Sequence, residues 1–316
     1  MRAILVLPLL VCLSISSAIA EPLGIGVTQS GGPYYNMAVP IAKEVQDREA
    51  IELRFRTHRG TSQYVPLVNS GELELGLGST FEVGLAYAGT GPYEGRRQDD
   101  LRVVGAVLPF WMSLIVPQDS PARTVADLKG MRGPGRFTAA AMVNILIDGL
   151  ISNGGLTRDD LKSVPVSGFR EMMNAFVSGD LDFVMAELTS GSLIQLENRM
   201  GPIRALSLST AENDVLALQK HVPVAQVRDV RPGKGFLAVA EPIHVMSYNI
   251  VLFTNKNVPD DVIYKLVKTI YDGRAEMAAA LSGFGQIESA GMAGQFGVPY
   301  HAGAERFYRE RGAWAE

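Results

Sequence analysis

The chain reads as short apolar runs alternating with amphipathic helical stretches, and most changeovers are marked by glycine, proline or a hydroxyl residue. Leu23 to Thr28 is apolar with interspersed glycines and predicts a short buried strand. Ser30-Gly31-Gly32 predicts a tight turn. Pro33 then suits the first position of a helix, where its missing N–H costs nothing. The helix expected over Tyr34 to Arg48 carries Met37, Ile41 and Val45 on one face, and Pro40 is expected to kink it. Ile51 to Thr57 alternates apolar and charged residues, as a strand with one face in solvent does. After the polar turn His58 to Gln63, a helix is expected from Ser62 to Asn69, ended at Ser70-Gly71. Leu73 to Gly78 predicts the next strand, and Ser79-Thr80 opens another helix. Leu101 to Leu108 and Met112 to Val116 predict two more strands.

This strand–helix alternation argues an α/β fold with a parallel sheet covered on both faces, and ligands then bind beyond the carboxyl ends of the strands. Three polar turns fall there: Ser30-Gly31-Gly32, Arg59-Gly60-Thr61-Ser62 and Ser79-Thr80. The pattern then restarts. Thr124, with Asp127 three residues on, caps a short helix that Gly130 ends. Pro134-Gly135-Arg136-Phe137-Thr138 is a second glycine-containing turn, leading into a helix over Ala139 to Asn153. A strand follows at Leu161 to Val166, a helix at Phe169 to Val177 and a strand at Leu181 to Ala186. The polar turn Glu187-Leu188-Thr189-Ser190 comes next. One segment echoes another: Val68-Asn69-Ser70-Gly71-Glu72-Leu73-Glu74 is matched by Phe176-Val177-Ser178-Gly179-Asp180-Leu181-Asp182, which suggests two similar α/β lobes. Beyond it, Ile203 to Ser209 predicts a strand and Ala211 to Lys220 a helix. Val222 to Gly235 predicts a loop, Val245 to Thr254 a buried strand, and Pro259 to Tyr271 an amphipathic helix; the rest, to Trp314, reads as helical.

The 316 residues are 47% apolar and 20% charged, enough for two domains with sizeable cores. The net charge is −4, and no basic run exceeds Arg96-Arg97, so nucleic-acid binding is not expected. Residues 1–20 have the form of an export signal: Arg2, an apolar stretch from Ile4 to Ile15, and Ala18-Ile19-Ala20 as the cleavage site. The mature chain is expected to begin at Glu21. Cys12, the only cysteine, lies in that signal, which leaves no disulfide and no thiol chemistry afterwards. The longest apolar run, Val103 to Pro117, is too short to span a bilayer and contains Pro109.

A catalytic set is not visible. There is no Gly-x-Ser-x-Gly elbow, and His58, His221, His244 and His301 are far apart without partners at ligand spacing. Only Glu187 and His58 stand as acid or base candidates for a cleft. What recurs is hydroxyls, glycines and arginines at strand-to-helix turns, the material of a small-anion site. Arg136 is the sharpest candidate for a carboxylate, because guanidinium recognises it bidentately; the alternative is an exposed helix-start residue. Arg59 is a weaker candidate. Tyr34 and Tyr35 either wall the pocket or pack on the sheet.

The sequence resembles the TAXI-type solute-binding proteins of TRAP transporters over nearly the whole mature chain. The resemblance rests on Ser30 to Tyr35, Gly60-Thr61, Asn69 to Gly76, Val125 to Gly130, Pro134-Gly135, Gly179 to Asp182, Tyr248-Asn249 and Gly297 to Tyr308. It implies a bilobed periplasmic binding fold like type II, with two parallel or mixed-sheet lobes that close about a hinge. Lobe 1 would span 21–116 and 241–316 and lobe 2 would span 117–240, with chain crossings near Phe110 to Pro117 and Glu241 to Ser247. The implied ligand is a small organic anion: a dicarboxylate, a 2-oxo acid or a glutamate-like amino acid. The implied partner is a TRAP-type membrane permease driven by an ion gradient, and the expected form is a periplasmic monomer without cofactor. Matching pocket positions are Gly32, Tyr34, Tyr35, Thr61, Ser79 and Thr80 in the first lobe. In the second they are Gly135, Arg136, Phe137, Thr138 and Thr189. The alternatives are a secreted enzyme on the same fold and a ligand-sensing subunit for a membrane receptor.

Overall fold

The computed structural model describes residues 22–137, 141–233, 235–287 and 289–314. The expected export signal at residues 1–20, and Thr138, lie outside them. The opening turn forms as the residues dictate. Strand β1 (Leu23–Thr28) ends in a turn closed by the Gly32 N–H donating to the Gln29 carbonyl (2.8 Å), with Gly31 at φ +81°. Helix α1 (Pro33–Glu49) starts on Pro33 and carries Pro40 buried inside it. Strand β2 (Leu53–His58), helix α2 (Thr61–Ser70), strand β3 (Leu75–Ser79) and helix α3 (Thr80–Ala88) follow. β1 pairs in parallel with both β2 and β3.

Beyond this unit the sheet is mixed, one of the two forms expected of the lobes. Leu101 to Val116, expected as two strands, is one strand, β4 (Leu101–Pro117). It pairs antiparallel with β10 (Ile243–Asn255), from Leu101 opposite Asn255 to Met112 opposite Met246. The interruption expected at Pro109 does not occur. Pro109 sits opposite Asn249 where β4 has no strand on its far side, so its missing N–H breaks no second ladder. On the outer edge of β10, β3 covers Ile250 to Thr254, and β9 (Gln226–Val230) covers Ile243 to Ser247. β9 replaces the loop expected there. On the far edge of β4, β7 (Val184–Glu187) and β8 (Ile203–Ala205) pair with Met112 to Pro117. At Pro109-Phe110 and Tyr248-Asn249 the sheet therefore narrows to a two-stranded ribbon joining two α/β halves.

The second half also contains β5 (Arg132–Pro134), parallel to β6 (Lys162–Val164), with helices α4 (Ala141–Ser152), α5 (Phe169–Val177), α6 (Ser192–Met200) and α7 (Glu212–His221). α6 had no counterpart in the sequence reading. Helices α8 (Asp260–Asp272), α9 (Arg274–Ala280) and α10 (Ala302–Glu310) return to the first half.

The sequence echo is a structural repeat. Gly71 and Gly179 both take left-handed backbone, φ +81° and +78°. The Leu73 and Leu181 N–H groups reach back to the carbonyls of Leu67 and Ala175, and the Ser70 and Ser178 hydroxyls donate to those same two carbonyls. Glu74 then accepts from the Gly24 N–H at the start of β1 (2.6 Å), as Asp182 does from the Arg132 N–H at the start of β5 (2.7 Å). β1 thus corresponds to β5 and β3 to β7. The two halves seize opposite edges of the ribbon, β3 on β10 and β7 on β4.

The returning helices seal β4. α8 buries Ile263, Leu266, Val267 and Ile270, and α10 buries Ala304, Phe307 and Tyr308. The Tyr308 hydroxyl is buried without a hydrogen-bond partner, tight against Gly105, where a Cβ would lie 2.0 Å from it. An unsatisfied buried hydroxyl costs about 1–3 kcal/mol. Tyr308→Phe is therefore expected to raise stability by about 1 kcal/mol in urea unfolding, whereas a loss of stability would show that the hydroxyl is satisfied.

Candidate functional site

The ribbon and the helix starts beside it build a seam between the halves. Tyr34, in the first turn of α1, stacks on Phe110 of β4 with ring centroids 6.3 Å apart and planes 4° apart. Phe110 in turn packs edge-on against Tyr248 of β10 at 5.8 Å. Ser79 caps α3, its hydroxyl accepting from the Glu82 N–H (3.1 Å). The Glu82 carboxylate, 2% exposed, accepts from the Tyr93 hydroxyl (3.0 Å) and from the Thr61 hydroxyl. Burial pushes Glu82 above the usual carboxylate range, and the two hydroxyls offset part of that.

From the other half, Glu187 closes β7 at the ribbon. Its carboxylate accepts from the Trp111 N–H (3.4 Å), the Thr189 N–H (3.0 Å) and the Thr189 hydroxyl (2.9 Å). Burial raises it to about 7 against these bonds. Burial also drives the Tyr34 and Tyr248 phenols far above their ordinary range. Glu82 adds to the effect at both, and at Tyr248 so do Tyr34 and Glu187. Tyr248 thus lies under the field of carboxylates from both halves. Among the described residues no lysine or arginine pairs with Glu82 or Glu187.

The expected first-half residues largely converge here. Gly32 caps α1 where a Cβ would lie 2.6 Å from the Thr28 hydroxyl. Tyr34 joins the aromatic stack, and Thr61, Ser79 and Thr80 gather around Glu82, all buried. Tyr35 instead packs edge-on against Phe55 at 5.2 Å, on the sheet. The second-half residues are divided. Thr189 stands in the seam, its hydroxyl engaged by Glu187. Gly135 holds β5 to β6, its N–H donating to the Val164 carbonyl (2.7 Å). Phe137 is 3% exposed, with its N–H and carbonyl both bound by the Asn144 amide (2.9 Å each), which makes it a core residue. The Arg136 side chain is 66% exposed and rests 3.3 Å from Asp148. Arg59 is exposed as well.

Phe110 and Glu82, and the tie from Glu187 to β4, are not evident from the sequence. The available signal was an acid inside the otherwise apolar run Thr80-Phe81-Glu82-Val83. His58 packs against the Tyr64 ring (5.5 Å), and His301 caps α10 through Nδ1. Among the described residues no group of three or more His, Cys, Asp or Glu could hold a metal ion.

A cavity of about 370 Å³ opens from the seam along the edge of β10, sharing Thr80 and Tyr248 with it. It is bounded by Asn249, Gln226, Arg228 and Gln295 among others. It lies where β10 has no third strand, between the end of β3 and the start of β9.

The same fold recurs in solved binding proteins. MatC from Rhodopseudomonas palustris, with bound malate, superposes with a TM-score of 0.55 at 16% identity, over 84% of this chain and 88% of that one. The periplasmic binding protein BugD gives 0.54 at 16% identity, over 84% and 87%. The alkanesulfonate-binding protein SsuA from Xanthomonas axonopodis pv. citri, bound to MOPS, gives 0.51 at 18%, over 93% and 85%. At such identities the likeness is one of fold, the bilobed fold of periplasmic binding proteins. A family model matches residues 25–312, from β1 to just beyond α10, and on that match the chain belongs to the NMT1-like family.

Proposed function

We propose that the protein is an extracytoplasmic solute-binding protein. It captures a small carboxylate between its halves and delivers it to a TRAP-type permease, without catalytic turnover. The observation that carries this reading is the construction of the seam. Two repeated α/β halves are joined by the narrow β4–β10 ribbon, and strand-end turns from both converge on it. That is the geometry of closure about a hinge. The malate of MatC and the MOPS of SsuA, both small anions bound on this fold, support the ligand class. The motifs Ser30 to Tyr35 and Gly297 to Tyr308 support the TAXI assignment. In this reading residues 1–20 direct export, 21–116 and 241–316 form one lobe, and 117–240 form the other. The bonds to the Glu187 carboxylate come from the Thr189 N–H and hydroxyl of its own turn and from the Trp111 N–H of β4, and they hold that turn to the ribbon.

The test is a thermal-shift screen of residues 21–316 against mono- and dicarboxylates, amino acids, sugars and sulfonates. A ligand at 100 times its dissociation constant adds about 2.7 kcal/mol of stability. A rise in melting temperature with carboxylates and not with sugars is expected. Silence across all classes would end the reading.

A further inference from the structure

We infer that the anionic end of the ligand is taken by Arg228, in the cavity along the edge of β10, and not by Arg136. The favoured ligand is then a small acid carrying a hydrogen-bond donor at its other end. The inference rests on the binding function proposed above.

Three observations converge. The cavity, about 370 Å³, falls within the volume range of small-molecule sites. It is also built from both halves: Thr80 begins α3 on one side, and Gln226 and Arg228 of β9 stand on the other, with Ser247 to Asn249 of the ribbon as the back wall. A ligand there would touch both halves and the ribbon that joins them.

The second observation is charge. Among the described residues lining the cavity, Arg228 alone is charged. Its Nε donates to the Gln226 side chain (2.8 Å), and among the described residues no carboxylate forms an ion pair with it. The terminal N–H groups of the guanidinium keep their fork geometry for a carboxylate or sulfonate. Arg136 differs, since its guanidinium already lies against Asp148 and outside the cavity lining.

The third observation is the lining at the other end. Tyr248 lies at the junction of cavity and seam, and the side chains beside it are polar but uncharged. A second anionic group directed there would find no further cationic side chain among the described lining residues, whereas a hydroxyl or ammonium would find hydrogen-bond acceptors. The polar lining of Thr80, Asn249, Gln219 and Gln295 supplies further hydrogen-bonding groups along the way. This selects hydroxy acids and amino acids over diacids of the same length.

The experiment is calorimetric titration of the mature protein and its Arg228→Ala, Arg228→Lys and Arg136→Ala variants. The probes are 4-hydroxybutyrate, 4-aminobutyrate, glutarate and 2-oxoglutarate, with 4-hydroxybutyramide as the uncharged control. Arg228 is exposed, so its variants should melt with the parent protein. The expected result is binding of the hydroxy or amino acid ahead of glutarate. Arg228→Ala should weaken it at least tenfold, Arg228→Lys should restore part of that loss, and Arg136→Ala should leave it within twofold. The amide should bind weakly and without sensitivity to Arg228. Unchanged affinity in Arg228→Ala, a tenfold loss in Arg136→Ala, or preference for the diacids would overturn the inference. So would failure of all four acids to bind the parent protein. The binding function itself falls only if the wider thermal screen is also silent.

Discussion

Arg158→Ala is expected to destabilise the protein by about 3–5 kcal/mol, the range for removing one partner of a buried ion pair. The Arg158 side chain is 12% exposed. Its Nε donates to Asp148 (2.6 Å), and its two terminal nitrogens reach the carbonyls of Pro134, Gly135 and Asn144. One guanidinium thus ties the turn after β5 to the body of α4. Desolvation lowers its pKa, with Asp148 opposing, as expected of a charge withdrawn from water and then paired. Truncation strands those carbonyls and leaves Asp148, 14% exposed, with the exposed Arg136 at 3.3 Å as its remaining ion-pair partner among the described residues. Arg158→Lys should recover less than half of the loss, because an ammonium cannot reproduce the planar fork. Urea unfolding of the three proteins checks both, and a loss below 1 kcal/mol in the alanine variant would show that water replaces the guanidinium.

The second large effect is a pH dependence centred on Glu187. Its folded-state pKa is about 7, raised from 4.5 by burial, so the folded protein holds this proton more tightly than the unfolded chain. The stabilisation is complete below about pH 4.5, is lost as pH rises through the interval to about 7, and stays lost above it. The total is about 3 kcal/mol, from 1.36 kcal/mol per unit. Glu187→Gln removes the ionisation. The stability of the variant relative to the parent should therefore climb by about 3 kcal/mol between pH 4.5 and 8. Its absolute value is offset downward, because one amide oxygen replaces two carboxylate oxygens for Thr189 and Trp111. Glu82 shifts in the same direction but is common to both proteins and cancels. A relative stability that is flat with pH would mean that the carboxylate ionises normally.

Local signals were legible where the cause was local. The Gly-Gly-Pro turn into α1, the left-handed caps at Gly71 and Gly179, and the serine cap at α3 are set by neighbouring residues, and they formed as expected. What was hidden was set by distant partners. Pro109 reads as a strand break, yet β10 and the absence of a third strand let β4 run through it. β9 lies in a stretch rich in proline, glycine and charge, and forms because β10 offers Ile243 to Ser247 an unoccupied edge. The positions of Tyr34, Ser79 and Thr80 beside the ribbon follow from their places at strand ends, where the sequence put them. Phe137 and Arg136 were not assignable, because Asn144 and Asp148, a helix away, decide where they face. Whether Tyr34 or Tyr35 faced the seam depended on Phe110 and Phe55 in two different strands.

The β4–β10 ribbon also fixes a timetable. β4 emerges from the ribosome long before β10, yet it is the most continuously buried strand of the sheet and belongs to both halves. Neither half can close its sheet until residues 243–255 exist, so completion of the fold waits on a contact between remote parts of the chain, the kind that slows folding. During that delay the apolar run from Val103 to Val116 lies open, a sticky edge of the sort that drives misassembly of partly folded chains. Truncation before residue 243 should therefore yield an insoluble chain rather than a smaller folded one, even though α1 to α3 and α4 to α7 would each be intact in sequence.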